Sequence, residues 1–360
     1  MYKFRIYPSG KQKVRIIRQF KICKEVYNTL LDLNKKLLVT NKFQLNSLVM
    51  DIKLTCPEYY SQAHSQVLQN VSDRLHKAFD SFFRRIKEGA KEKGFPRFKS
   101  KINSITYPQS GFKFINNRHI QVSKIGNLPI ILHRVPKGKI KTMTIKVNKA
   151  NQWFAVFACE IPDSKAVHHS AEKVGIDVGL ESFATLSNGE KIINPRHLIK
   201  SEKRIKLLQR RLSRKKKGSA NRRKARFKLS KAHLKVSNIR ADFLHKLSRK
   251  IVKSFSFIAV EDLQVTNMVK NHTLAKHISD ASWSCFMQML EYKAVTSGSG
   301  FVKVSPRDTS KTCSKCGNIQ DMPLAIREFV CASCGFACHR DLNSSYNILV
   351  RADCPELNAC

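Results

Sequence analysis

The sequence predicts a multidomain α+β protein, and three observations carry that prediction. Apolar residues recur at helical spacing in two early stretches; residues 103–161 then switch to short strand-like runs; and further strands beyond residue 173 are separated by a long helical segment with little Pro or Gly. At 360 residues the chain is long enough for two or three packed units. With 42% hydrophobic residues it can bury cores, which excludes a disordered basic tail.

Taken in order, residues 1–8 alternate as a short strand. Ile16, Phe20, Cys23, Tyr27 and Leu30 then recur at helical spacing, and Leu68, Val71, Leu75, Phe79, Phe82 and Ile86 mark a second helix. After the break at Gly94, Phe95 and Pro96, the runs around Thr144–Val147 and Trp153–Ile161 read as strands, with Pro136, Gly138, Asn148 and Asn151 as turn signals. The first half therefore reads as a β unit interrupted by two helices. Residues 162–173 are polar and read as a linker. The segment KVGIDVGLESFATLSNGEKIINP follows as three strands, with Gly179 and the Asn188–Gly189 pair at the turns. One or two long helices cover 199–253, and SFSFIAVEDL is a buried strand by length and β-branching. Residues 283–297 read as a helix, FVKVSP as a strand, and 340–350 as a closing helix after a cysteine-rich unit.

Charge narrows the function. Lys and Arg number 67 against 26 Asp and Glu, a net charge of +41, which is tolerable mainly beside a polyanion. Nucleic acid is the expected partner. A membrane surface is not, because no run approaches 18 apolar residues and the start MYKFRIYPSGKQ lacks the apolar core of a signal peptide. Residues 200–235 hold 17 Lys and Arg and one acid, Glu202, for a net of +16. A solvated helix face usually balances its charges, so phosphate contact is the better reading of this block, with Arg210, Arg211, Arg214, Arg222 and Arg223 as candidates. Such contacts position without specifying sequence. On a helix from 62 to 85, Gln62, Gln66, Gln69, Asn70 and Arg74 have the chemistry to reach base edges, although ordinary exposed polar residues look the same.

Asp177 interrupts the apolar run VGIDVGL, where a charge is costly unless paired or bound to a cation. Glu261 repeats the pattern in FIAVEDL, with Asp262 as the alternative because the period alone does not fix which faces inward. Asp341 lies at the expected start of the closing helix. A single acid near a strand end is most often a turn or cap residue. Three in this order suit a site for two Mg²⁺ ions about 3.5–4 Å apart, acting in phosphodiester hydrolysis.

Of 11 cysteines, four form the pairs Cys313–Cys316 and Cys331–Cys334, each pair enclosing two residues, with 14 residues between the pairs. This is the pattern of one structural Zn²⁺ in a closed four-thiolate shell, with Gly317 and Gly335 where the turns need permissive φ. Cys338 and His339 are possible spare ligands or simply packed. The remaining cysteines, Cys23, Cys56, Cys159, Cys285, Cys354 and Cys360, are scattered, as in a reducing compartment.

The segments GIDVGLESFATLSNG, IAVEDLQVTNMVKN, TSKTCSKCG and CHRDLNSSYNI, in that order, resemble the TnpB family of transposon-encoded RNA-guided DNA endonucleases, relatives of the compact type V CRISPR effectors. YKFRIYPSGKQ, YNTLL and FPRFKS are similar to the family's amino-terminal half, so the likeness covers nearly the whole chain. It implies a RuvC-like nuclease domain of RNase H fold at 170–308 and 337–352, with Asp177, Glu261 and Asp341 matching its three acids. It further implies a zinc unit at 309–336, an amino-terminal β-barrel at 1–165 with a helical insertion at about 11–95, and a tail at 353–360. The implied partners are a guide RNA and a target double-stranded DNA with a short flanking motif, read in part by the 62–85 helix. Arg340 is an expected nucleic-acid contact, and the expected location is the prokaryotic cytoplasm, at the nucleoid when bound to DNA. The sequence departs from the family pattern at His339, where Asp is common, and at Ser344 and Ser345, where an Ala pair is frequent.

The rival readings are a guided DNA-binding regulator that no longer cuts, a DNA transposase, and an unguided RNA-binding protein. The three acids argue against the first. A transposase would want either a Tyr nucleophile in a His-bearing metal site or a nuclease able to use a DNA 3′ end, and no His-x-His cluster is present, since His168 and His169 are adjacent and sit in the linker.

Overall fold

Alternation at the start of the chain becomes strand β1 (Tyr2–Ile6), which turns Phe4 and Ile6 into a core. The computed structural model describes residues 1–37, 41–161, 171–323 and 325–353. The chain divides into two units, Met1–Asp163 and Ser164–Cys360. Most of the expected linker, with His168 and His169, and the tail, with Cys354 and Cys360, lie outside the described residues.

In the first unit β1 is followed by helix α1 (Gly10–Leu37), which buries Ile16, Phe20, Cys23, Tyr27 and Leu30 along one stripe. Next come α2 (Lys42–Thr55), the single turn α3 (Pro57–Tyr60) and α4 (Ser65–Lys87). The sequence stripe gave two helices here. It missed α2, which is started by Asn41 accepting a hydrogen bond from Phe43 N at 2.9 Å and buries only Leu45, Val49 and Ile52. Strands β2 (Ser104–Pro108), β3 (Phe112–Asn116), β4 (His119–Val122), β5 (Gly126–Ile131), β6 (Lys139–Val147) and β7 (Trp153–Glu160) complete a seven-stranded sheet ordered β2-β6-β7-β1-β5-β4-β3. Every pairing in it is antiparallel. Its two edge strands, β2 and β3, are consecutive in sequence and joined by residues 109–111 alone, so the sheet must curl until its edges approach. Helices and sheet share one apolar core.

The second unit is built on a five-stranded mixed sheet ordered β10-β9-β8-β11-β12. Strands β8 (Lys173–Asp177), β9 (Ser182–Leu186) and β10 (Lys191–Ile193) run antiparallel, and the linker expected to reach residue 173 therefore stops short of it. Two helices follow, α5 (His197–Ser213) and α6 (Ala220–Ser254), broken at the turn containing Gly218. Asp280 joins them to the body: its two oxygens accept from Leu198 N at 3.0 and 2.9 Å, and Arg240 of α6 meets it at 3.0 Å. Strand β11 (Phe257–Glu261) lies parallel to β8, and the chain continues through α7 (Val265–Met268), α8 (Ala275–Ala281) and α9 (Trp283–Ser297) to β12 (Gly300–Val304), parallel to β11. A small hairpin, β13 (Glu328–Val330) and β14 (Ala337–His339), belongs to the cysteine unit, and α10 (Arg340–Asp353) closes the chain.

The two faces of this sheet bury different helices. Val174, Ile176, Ile258 and Val260 pack with Leu244, Ile251 and Phe286 of α6 and α9, whereas Ala259 and Val304 pack with Ile348 of α10. Strand period two therefore puts Gly175 and Asp177, like Ala259 and Glu261, on the α10 side. At Gly175 the helix backbone comes so close that an ideal Cβ would stand 2.1 Å from Ser345 O and 2.9 Å from Leu349 N.

Gly175→Ala is accordingly expected to destabilise the second unit by about 1–3 kcal/mol through overpacking. Chemical denaturation against the wild type checks this, and Ser345→Ala, which leaves the close approach intact, is expected to change stability far less.

Candidate functional site

Asp177 ends β8 and Glu261 ends β11. The parallel register Val260↔Ile176 sets the two acids side by side at the carboxyl edge of the sheet. Asp341 enters from the first turn of α10, above the same edge. The structure thus brings together three acids that lie far apart in sequence. Asp262 is exposed and its backbone N–H donates to Val304 O at 2.8 Å, so of the two adjacent acids it is Glu261 that faces the cluster.

The electrostatics are those of a site short of positive charge. Burial pushes the Asp177 carboxyl well above its ordinary range, and the neighbouring carboxylates of Glu261 and Asp341 push the same way. Arg340 and the N–H of Val178 oppose this. Glu261 is raised by burial too, against a hydrogen bond from Thr309 Oγ1 at 2.6 Å and the charge of Arg351. Oxygen donors crowded in this way fit a hard divalent cation, which would favour their ionised forms. The acids are nonetheless less tightly gathered than the cysteines, which among the described residues form the one group with ligand atoms all within 4.8 Å of one another.

The cysteine unit is made of two matching knuckles. Gly317 N donates to Cys313 O at 2.9 Å and Gly335 N to Cys331 O at 3.0 Å, with φ of +76° and +69° at the two glycines. The Cys313 and Cys334 sulfurs lie 3.7 Å apart, and those of Cys316 and Cys331 lie 3.5 Å apart. The backbone N–H of Cys334 heads the causes that hold the Cys331 thiol down to about 6. Four such sulfurs can hold one metal ion. Cys338 and His339 are outside the group: Cys338 is partly buried, its thiol pushed up by burial, and His339 Nδ1 accepts from Asp341 N at 3.3 Å.

Residues that the sequence did not single out connect the two centres. Asn343, fully buried on α10, accepts from Ser314 N at 3.0 Å and donates to Thr312 O at 2.7 Å. Asn347, one turn on, donates to Thr309 O at 2.8 Å and Thr312 O at 2.6 Å. The signal was present as two Asn residues at i, i+4 on the helix that delivers an acid.

The expected nucleic-acid contacts divide. Arg210, Arg211, Arg214 and Arg223 are exposed on or beside α5 and α6. Arg222 instead closes the turn between these helices, donating to Leu212 O at 3.0 Å and Lys215 O at 2.8 Å. Helix α4 begins at Ser65, so Gln62 is not on it but in the preceding turn, donating to Glu58 O at 3.3 Å. Gln66 Oε1 accepts from Ser110 Oγ at 2.8 Å, while Gln69 is exposed. Arg74 donates to Asn70, Ser104 O and Thr106 at 2.8–3.0 Å, which ties α4 to β2 and engages both Arg74 and Asn70 inside the protein. Arg340 is 9% exposed; it donates to Ile326 O at 3.2 Å and stands 3.6 Å from Asp341, so it is a charge partner of the acids rather than a free cation.

Comparison with known proteins gives three family models along the chain. OrfB of the IS605 type, described as "Probable transposase", matches residues 156–272; a Cas12f1-like TNB domain matches 283–348; and a helix-turn-helix domain matches 1–42, a range that here holds β1 and the long α1. A Streptomyces pristinaespiralis protein described as "Putative RNA-guided DNA endonuclease" is 36% identical over 97% of this chain and 88% of its own length. The Escherichia coli K12 protein InsQ, with the same description, is 31% identical over 97% of this chain and 91% of its own. Among solved structures, a Cas12f1–sgRNA–target DNA complex matches at 18% identity, covering 97% of this chain and 98% of that one, with a TM-score of 0.38.

A carboxyl raised above its ordinary value of 3.8 binds more protons folded than unfolded, so stability falls as pH climbs from that value toward the folded one. Asp177→Asn removes this loss, and without divalent cations the variant is expected to melt above the wild type at pH 7.5. A gain on the order of 1 kcal/mol corresponds to roughly 2–4 °C. Cys331→Ser, in contrast, is expected to lose one bound metal ion per chain and to melt lower, as metal analysis and calorimetry would report.

Proposed function

The chain belongs to the TnpB family of transposon-encoded RNA-guided DNA endonucleases, and from that premise we propose that it cuts target DNA by Mg²⁺-dependent phosphodiester hydrolysis, with Asp177, Glu261 and Asp341 as the residues that hold the ions. The observation that carries this reading is the convergence of three acids at one sheet edge, where burial and the charges of Glu261 and Asp341 raise Asp177. The chemistry two such ions supply is activation of a water and stabilisation of the leaving oxygen.

The chain's own residues then have distinct tasks. Asp177 and Glu261, fixed by adjacent parallel strands, form the rigid side of the site, and Asp341 comes from the helix above. Arg340 tempers the negative charge without being a ligand. The four cysteines hold Zn²⁺, whose closed shell leaves it structural. The mixed five-stranded sheet with acids at the ends of its central strands supports a RuvC-like nuclease domain at 170–308 and 337–352 with a zinc insertion at 309–336. The curl of the seven-stranded sheet supports a β-barrel at 1–165 carrying α1 to α4. Guide RNA and target DNA are the proposed partners. Base pairing supplies most of the sequence specificity, and the protein supplies phosphate contacts, from Arg210, Arg211, Arg214 and Arg223 among others, and recognition of the flanking motif. Among the described residues no helix is long and apolar enough to cross a membrane.

The first test is to sequence RNA that copurifies with the protein, then to assay cleavage of a randomised-flank DNA library with Mg²⁺. Wild type is expected to yield a discrete RNA and guide-dependent cuts that Asp177→Ala abolishes. Tight DNA binding without a cut in either protein would leave a guided regulator, and joined strands would indicate a transposase. Binding is also expected to weaken steeply with salt, each phosphate contact adding about −0.7 to −0.9 to the slope of log K on log salt. Replacing Arg210, Arg211, Arg214 and Arg223 by Ala is expected to flatten that slope, and an unchanged slope would remove these four from the interface.

A further inference from the structure

Thr309 occupies a position that neither the cysteine unit nor the acid cluster explains by itself. It is 4% exposed, and its hydroxyl donates to Glu261 Oε1 at 2.6 Å, with Pro306 O at 3.2 Å as a second acceptor nearby. Its backbone is pinned from the opposite side, because Asn347 Nδ2 donates to Thr309 O at 2.8 Å. The same Asn347 amide reaches Thr312 O at 2.6 Å, and Asn343 adds bonds to Thr312 O at 2.7 Å and from Ser314 N at 3.0 Å. Ser314 lies inside the first knuckle, between Cys313 and Cys316. One face of α10 thus holds residues 309–314, a segment with Glu261 hydrogen-bonded at one end and a sulfur ligand near the other. The helix that fixes this segment also carries Asp341.

We propose that Thr309 is a positioning residue for Glu261. The threonine hydroxyl fixes one carboxylate oxygen, leaving the other free to face a cation, and the Asn343–Asn347 clamp sets where that hydroxyl stands. Glu261 and Asp341, which come from different elements, are thereby referred to one frame, α10, and the cysteine unit becomes the outer anchor of that frame. Carboxylates that hold metal ions are commonly oriented by such a partner, whose loss typically weakens metal affinity or activity by about 10–100-fold. The inference rests on the nuclease reading of the acid cluster and adds to it a residue that touches neither DNA nor metal.

The test uses the guide-RNA-loaded protein and Thr309→Val, Thr309→Ser, Thr309→Ala and Glu261→Gln. Mn²⁺ binding, followed by electron paramagnetic resonance, is the readout besides activity, alongside Zn²⁺ content, melting temperature and the Mg²⁺ dependence of cleavage. Thr309→Val keeps the shape and removes the hydroxyl; it is expected to retain its Zn²⁺, to bind Mn²⁺ at least about tenfold more weakly, and to need correspondingly more Mg²⁺ for half-maximal cleavage. Thr309→Ser is expected to recover most of that loss. Wild-type Mn²⁺ affinity in Thr309→Val, or equal losses in Val and Ser, would overturn the positioning role and leave the nuclease reading standing. If Thr309→Val does not fold, the comparison of Thr309→Ala with Thr309→Ser decides in the same way. Failure of the nuclease reading itself has a different signature: no guided cleavage by the wild type, and Mn²⁺ binding that Glu261→Gln leaves unchanged.

Discussion

The second unit depends on one close contact, the packing of α10 backbone against β8 backbone at Gly175. A helix normally stands off a sheet by the thickness of the side chains between them. Here the strand contributes a hydrogen atom where other residues have a Cβ, and the facing helix atoms are the backbone of the small, buried Ser345 and, one turn on, of Leu349. The result is a helix low enough on the sheet for an acid in its first turn to join acids at the strand ends. Asp177 lies two residues beyond Gly175 on the same face, so the space and the charge are specified by a single short segment, GID. Serine in place of alanine at 344 and 345 is compatible with this, because the Ser345 hydroxyl is absorbed within the helix, donating to Leu342 O at 2.7 Å.

Bringing the acids together has an electrostatic cost that the surrounding residues divide among themselves. Arg340 faces Asp177 and Asp341, while Arg351, three helical turns further along α10, lowers the burden on Glu261 and donates to Ser305 O at 3.1 Å. The net charge of +41 does not relieve the cluster, because much of it sits on exposed side chains of α5 and α6, where solvent and salt screen it. Local cations temper the cluster but leave Asp177 raised.

Much of this was legible in the sequence, and the gaps have physical causes. A charge inside an apolar run is conspicuous, so Asp177 and the Glu261 segment stood out, and the spacing of the four cysteines located the knuckles that the structure forms. The strand period left the choice between Glu261 and Asp262 open, because it turns on which strand face meets α10, and only the resemblance pointed to Glu261. Helix α2 escaped because it buries three residues while Phe43, Met50 and Leu54 are exposed, which blurs its stripe. The side chains offered as base readers were judged by chemistry alone. Arg74 and Asn70 have the right groups, yet Arg74 answers to β2, a partner about thirty residues away that no local pattern announces, and Asn70 answers to Arg74. Arg340 is engaged within the protein for a related reason: an arginine beside an acid in sequence can be buried against it. Asn343 and Asn347 were missed because an amide in a helix looks unremarkable until the loop it holds is in place.

The order in which the chain is made bears on when the acid cluster can exist. Asp177 and Asp341 are separated by 164 residues, 341 minus 177, and β8 leaves the ribosome long before the helix that fits its glycine. At about 5–20 residues per second, roughly 8–33 s pass between synthesis of the first acid and of the last. During that interval the strand face that will meet α10 is open, and Asp177 lacks Asp341 and Arg340. A nascent chain therefore has no complete cluster until α10 is made, and that delay comes from placing the last acid in α10.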